Sequence, residues 1–370
     1  NGHKVIWKGI DRPLITGAEK VTGWTASSDH PGLYETTVED EDRIMQIYVN
    51  GKKRYMARSN NFVQGVKKPE QYRTPEWYAA HPNDSEGDDY NWYDPETSYT
   101  YDGFYMKKSD IGFWENEDDI LFQWERNWKT QIVPVEEIIQ DPDNADQVKV
   151  RMERGLWQIF VSCNYLGQTM YPEGGVRFRI LNAMELLDEP GECYFNRATK
   201  KLYYMPVDGE DMTTAEVHVP KRDIFATIYG NDYNDCIENI EFTGLDISYY
   251  ASDGVAEGYW GEQGTVVRGA SGSNGVGRSV IIMYFCDNVN FYDNYFRGFD
   301  QLAITLQAGI YNCTIRGNAF SDLGDAAINI GAERHSVDHS DDVPANKKQF
   351  NLLMDGYRNT VYTSYMGDEY

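Results

Sequence analysis

Between Asn239 and Asn359 a short phrase recurs, and its spacing constrains this chain more than any other feature. Asn239-Ile240-Glu241-Phe242-Thr243-Gly244 is answered by Asn288-Val289-Asn290-Phe291-Tyr292-Asp293, by Asn312-Cys313-Thr314-Ile315-Arg316-Gly317, and faintly by Asn359-Thr360-Val361-Tyr362. The steps are 49 (288 − 239), 24 (312 − 288) and 47 (359 − 312), which reads as one period of about 24 with two rungs worn down. A second line keeps the step: Ile304 realigns with Ile328, Asn294 with Asn318 and Phe296 with Phe320. Repeats of this length signal a solenoid, and apolar alternation with period 2 makes its elements strands. The expected fold is all-β, a right-handed parallel β-helix whose coils are stable only when stacked on neighbours. Asn294 and Asn318 are expected to form an internal amide ladder at a tight turn, since Asn tolerates left-handed backbone.

Composition narrows function. The net charge of −25 disfavours nucleic acid and anionic membrane as partners. No apolar run has the length of a membrane span and no signal peptide is visible. Five cysteines without a CxxC pair read as small apolar fillers. An uncapped coil stack exposes strand edges, so the chain is expected to be a portion of a longer polypeptide.

Before the coils the sequence is β-rich. Asn50-Gly51 between apolar runs predicts a hairpin. Residues 66–118 are expected to form a long surface excursion with a short helix near Pro75 to Ala80, and Val133 to Ile139 a helical turn. The expected domains are 1–214, a β-rich region with a β-sandwich-like insert, and 215–370, the coils.

Several phrases, in order, are Pro13-Leu14-Ile15-Thr16-Gly17, Trp24, Tyr48-Val49-Asn50-Gly51-Lys52-Lys53-Arg54, Leu187-Asp188-Glu189-Pro190-Gly191-Glu192-Cys193-Tyr194-Phe195 and Leu202-Tyr203-Tyr204-Met205-Pro206. This order resembles secreted bacterial β-helix glycoside hydrolases of the β-xylosidase, xylanase and α-L-fucosidase type, in which a β-sandwich-like domain is inserted near the start of the β-helix. Cys193 departs from the pattern, standing where that phrase usually carries an aromatic. The resemblance implies a secreted or cell-surface protein acting on carbohydrate. The matched phrases do not include catalytic residues.

Glycosidic cleavage commonly uses two carboxyl groups, and adjacent coils lie roughly 4.8 Å apart. By the Ile304/Ile328 alignment Asp300 lies over Gly324 and Asp325 over Gln301, so the two acids become diagonal neighbours at one edge. Asp300 and Asp325 are therefore the expected pair, their roles open, with a like charge expected to raise one pKa. Asp322 and Glu333 are reserves. Tyr259, Trp260, Gln301, Arg297 and His335 are the expected substrate-binding residues, aromatic rings serving the apolar face of a sugar. His335-x-x-x-His339 suits zinc on a helix, but no helix is expected there, so no metal or cofactor is assigned. The leading function is a glycoside hydrolase. The alternatives are a polysaccharide lyase, whose base and cation the coils supply poorly beyond Arg297, Arg316 and Arg334, and a non-catalytic cell-surface or filament spacer.

Overall fold

The computed structural model describes residues 3–39, 41, 43–59, 103–126, 129–153, 156–157, 178–251, 259–263, 266–268, 274–276, 279–330 and 360–361. Among them the chain is all-β, with short 3₁₀ turns at Glu117–Asp119 and Met184–Leu186. It divides into two compact units. The first holds residues 1–20, 218–253 and 275–370, the second 21–217 and 254–274.

The first unit is built from three parallel sheets visited in rotation. One stacks Val5–Lys8, Ile237–Thr243, Cys286–Tyr292, Thr314–Arg316 and Thr360–Val361. Another stacks Leu14–Thr16, Asp246–Tyr250, Tyr295–Phe299 and Ala319–Leu323, and a third Ala226–Tyr229, Ser279–Tyr284, Leu302–Leu306 and Ile328–Ile330. Register follows the repeat: Ile240 pairs with Val289, Phe296 with Phe320 and Ile304 with Ile328. Inward residues form columns, with Phe242 on Phe291 (centroids 5.1 Å apart) and Phe296 on Phe320 (4.8 Å). Burying these faces against the neighbouring rung is the main stabilisation, since no rung has a core of its own.

Corners between strands repeat as columns of left-handed backbone. Asn239, Asn288 and Asn312 have φ of 62°, 56° and 50°; Gly244, Asp293 and Gly317 have 69°, 52° and 69°. These are the residue types that adopt that conformation at least cost. The expected amide ladder is present: Asn294 Nδ2 donates to Asn318 Oδ1 at 3.0 Å, both side chains buried. A second ladder links Asn288 Nδ2 to Asn239 Oδ1 at 2.7 Å.

Three expectations are corrected. The 49-residue step hides no worn rung, because the rungs of Asn239 and Asn288 are direct neighbours and residues 254–274 leave the stack for the second unit. Thr314 pairs with Thr360, a step of 46 (360 − 314), so the faint fourth phrase is shifted by one residue from the 47 read in sequence. Residues 1–20, assigned by sequence to a region ending at 214, pair with the coils: Val5 with Ile240 and Ile15 with Ile247. A repeat search cannot see this first rung, because most of the second unit separates it from its partner.

In the second unit, Gly103–Lys107, Leu121–Arg126, Lys129–Gln140, Gln147–Met152 and Phe178–Leu181 enclose Phe104, Phe122, Trp124, Trp157 and Phe178. The turn expected at Val133 to Ile139 is strand, its register shifting between Val135 and Glu137, where a bulge mimics a helical spacing. A second sheet carries Gln46–Val49, Lys52–Met56, Glu192–Asn196, Lys201–Tyr204 and Tyr34–Thr37. The Asn50-Gly51 hairpin forms, with φ of 52° and 77°. Of the excursion expected over 66–118, residues 66–102, with the expected helix, lie outside the described residues, while Gly103–Lys107 is a strand whose Phe104 and Met106 enter the core, a correction to the surface loop expected there.

Candidate active site

The sheet of Asp246–Tyr250, Tyr295–Phe299 and Ala319–Leu323 positions most of the candidates. In each rung two core residues stand three apart: Ile247 and Tyr250, Phe296 and Phe299, Phe320 and Leu323. Simple alternation would separate core residues by two. The extra residue is left-handed in every rung, at Tyr249 (φ 61°), Gly298 (69°) and Asp322 (50°). This kink resets the alternation, so Ser248, Arg297 and Ser321 stand in one column off the core and Asp300 emerges just past Phe299.

Asp300 and Asp325 fall as the repeat requires. The Gly324 amide donates to the Phe299 carbonyl at 2.7 Å, and a Cβ on Gly324 would lie 2.5 Å from the Asp300 carbonyl carbon. Only a glycine permits that approach. Asp325 is therefore one rung along and one residue on from Asp300, level with Gln301. It is half-buried, and burial raises its pKa, opposed by the hydrogen bond that its Oδ1 accepts from the Ala326 amide at 2.7 Å. Sequence anticipated a raised pKa from a like charge; the cause found among the described residues is desolvation.

The other candidates divide. Asp322 is exposed and left-handed, three residues before Asp325 on the same rung. Gln301 is buried: Nε2 donates to the Asp223 carbonyl, and Oε1 has no hydrogen-bond partner among the described residues. Its placement is that of a corner residue inside the stack, a correction to its expected role on the ligand face. Arg297 is half-exposed on that face, its Nη2 2.6 Å from Asp246 Oδ2. Tyr259 and Trp260 pair with Ile132 and Gln131 in the second unit, a correction to their expected place between coils. Glu333 and His335, with the loop around them, lie outside the described residues.

Sequence reasoning missed Asp246 and Ser248. The signal was available, because the step of 49 that aligns Asn239 with Asn288 also places Ser248 beside Arg297 (297 − 248 = 49). Among the described residues no group of three or more His, Cys, Asp or Glu is placed to hold a metal ion, and no helix is long and apolar enough to cross a membrane.

Comparison with known proteins adds one finding. A glycoside hydrolase shares this fold. That solved structure, described as "Glycoside hydrolase", superposes with a TM-score of 0.63 at 16% identity, covering 83% of this chain and 51% of its own. The chain thus spans about half the length of that neighbour. No family model matches the chain, and no curated protein matches it.

Proposed function

We propose that this chain belongs to a secreted or cell-surface glycoside hydrolase, its three parallel sheets forming a right-handed parallel β-helix that cleaves a polysaccharide or oligosaccharide with Asp300 and Asp325. The observation that carries this reading is the placement of Asp325: half-buried, with a raised pKa, one rung and one residue from a second aspartate. A carboxyl whose pKa burial raises holds its proton to higher pH than an ordinary aspartate, which makes Asp325 the better placed of the two to give a proton to a departing glycosidic oxygen. Asp300 then supplies the other carboxylate. An offset of one rung and one residue, about 4.8 Å by 3.3 Å, suits the close spacing of about 5 to 5.5 Å used in retaining hydrolysis, with Asp300 as nucleophile. Asp322 stands by the same edge and adds negative potential that favours the developing positive charge on the sugar.

The fold of the glycoside hydrolase neighbour and the ordered phrases between Pro13 and Pro206, most of them in the second unit, support the same class. A polysaccharide lyase is less well supported, because Arg297 is engaged by Asp246 and Arg316 lies over the Tyr292 ring in another sheet. A purely structural spacer gives no reason for two aspartates, one of them half-buried, on neighbouring rungs at the edge of a sheet.

Asp300→Asn and Asp325→Asn are expected to lower release of reducing sugar from a natural glycan by at least about 100-fold each. With an activated 4-nitrophenyl leaving group, which needs little protonation, Asp325→Asn keeps most of its kcat/KM while kcat falls, because the same carboxylate must then take the proton of the water that hydrolyses the glycosyl-enzyme; Asp300→Asn loses both. Turnover of the natural glycan at the wild-type rate in either variant would discard the assignment.

A further inference from the structure

The face that carries the two aspartates holds a second construction one rung away, made of residues that the carboxylate chemistry leaves unused. Asp246 is buried and both its oxygens are occupied. Oδ1 accepts from Ser248 Oγ and from Arg297 Nε at 3.2 Å, and Oδ2 accepts from Arg297 Nη2 at 2.6 Å. Ser248 Oγ also lies 3.3 Å from Arg297 Nε. Two parallel bonds from one carboxylate fix the plane of a guanidinium as well as its position.

That pairing spends Nε and Nη2. Nη1 has no hydrogen-bond partner among the described residues, while the Arg297 side chain is 40% exposed. Burial works to lower the guanidinium pKa, but the bonds to Asp246 more than offset it, so the group stays charged. The neighbouring rung offers small side chains opposite it: Ser321 beside Arg297 and Ala319 beside Tyr295, a residue 42% exposed that carries the Arg12 guanidinium over its ring at 3.7 Å. Arg297 precedes Asp300 by three residues across the kink at Gly298, at most about 10 Å, so a chain of sugars engaging the aspartates can run past it.

The geometry points to Asp246 as a positioning residue: with Ser248 it locks Arg297 so that Nη1 donates to a hydroxyl oxygen of the glycan, forming a binding subsite over Ser321 and Ala319. This deepens the hydrolase reading and rests on it. Asp246 is not a third catalytic acid, because neither oxygen is open to a substrate.

The test uses the full chain and a panel of 4-nitrophenyl di- and trisaccharides of xylose, glucose, mannose, galactose and fucose. On the substrate turned over best, Arg297→Ala and Asp246→Asn are expected to raise KM about tenfold or more, the size of one charge-assisted hydrogen bond, with kcat within a few-fold of wild type. Added guanidinium ion restores KM in Arg297→Ala, and this rescue disappears in the Arg297→Ala/Asp246→Asn double variant. Wild-type KM in Arg297→Ala, or rescue indifferent to Asp246, overturns the inference while leaving the hydrolase reading intact. Should Asp246→Asn fail to fold, guanidinium rescue of Arg297→Ala decides alone: restored KM supports the subsite and unrestored KM overturns it. Failure of the wild type to turn over any member of the panel overturns the hydrolase reading and this inference together.

Discussion

Single residues in this molecule show where stability is sacrificed. Asp325 has a folded pKa above the ordinary value because burial disfavours its charge. The native state then holds the proton more tightly than the unfolded chain, so stability is full below the unfolded value of 3.8 and is lost as pH rises through the higher folded value. Above that folded value the ionised carboxylate is a burden. Asp325→Asn keeps the acceptor for the Ala326 amide and removes the charge, so its denaturation midpoint near neutrality should exceed wild type, with the gain vanishing in acid. A lower midpoint at neutral pH would show the carboxylate to be well accommodated. Glu192, in the second unit, follows the same logic without any catalytic use. Burial pushes its pKa from 4.5 to about 7, Asp188 and Glu189 adding repulsion, and Oε1 lacks a hydrogen-bond partner among the described residues. Glu192→Gln should leave melting unchanged below pH 4.5 and raise it above about 7; melting curves that coincide with wild type at alkaline pH would refute the shift.

At the scale of the element, the amide ladder holds consecutive strands in register. Asn294 Oδ1 accepts from the Leu245 amide at 3.0 Å, and Nδ2 donates to the Phe242 carbonyl at 3.0 Å and to Asn318. Asn294→Ala strands both backbone groups in a buried corner, at about 1–3 kcal/mol for each. Urea unfolding should report a loss of that order, and a midpoint within error of wild type would mean that water replaces the amide. This ladder was legible in sequence because Asn has few reasons to recur at a fixed 24-residue offset, and so was the pairing of Ile304 with Ile328. The strand Lys129–Gln140 was not, since a bulge between Val135 and Glu137 breaks the alternation on which a strand is recognised. Nor was the placement of Gln301: position in the repeat gives the rung, but the side chain's direction depends on the left-handed kink at Gly298.

For the whole molecule, the repeat revealed the stacked rungs but not which chain segments leave the stack between them. Steps of 49 and 46 residues each join directly neighbouring rungs, and the longest excursion, most of the second unit, conceals the rung of Val5–Lys8 and Leu14–Thr16. Spacing alone cannot distinguish an eroded rung from an insertion, because both lengthen the step while preserving the phrase. For the same reason the position of Asp300 and Asp325 was readable, their step lying within an uninterrupted turn of 24 residues, whereas Tyr259 and Trp260 were misplaced by lying in an excursion.

Everything functional depends on the rung of Cys286–Tyr292 and Tyr295–Phe299 stacking directly on that of Thr314–Arg316 and Ala319–Leu323. Tyr292 and Arg316 are paired partners in these rungs, the guanidinium 5.1 Å from the ring centroid. Parallel neighbours have Cα atoms about 4.8 Å apart, within the span of about 4.4 to 6.8 Å that a disulfide bridges. Mass spectrometry of the Tyr292→Cys/Arg316→Cys variant after mild oxidation is the most direct measurement. The account predicts a peptide cross-link between positions 292 and 316, absent when the second cysteine is moved to the inward-facing Ile315. Failure of 292 and 316 to cross-link while 292 and 315 do would contradict the register, and with it the pairing of Asp300 and Asp325.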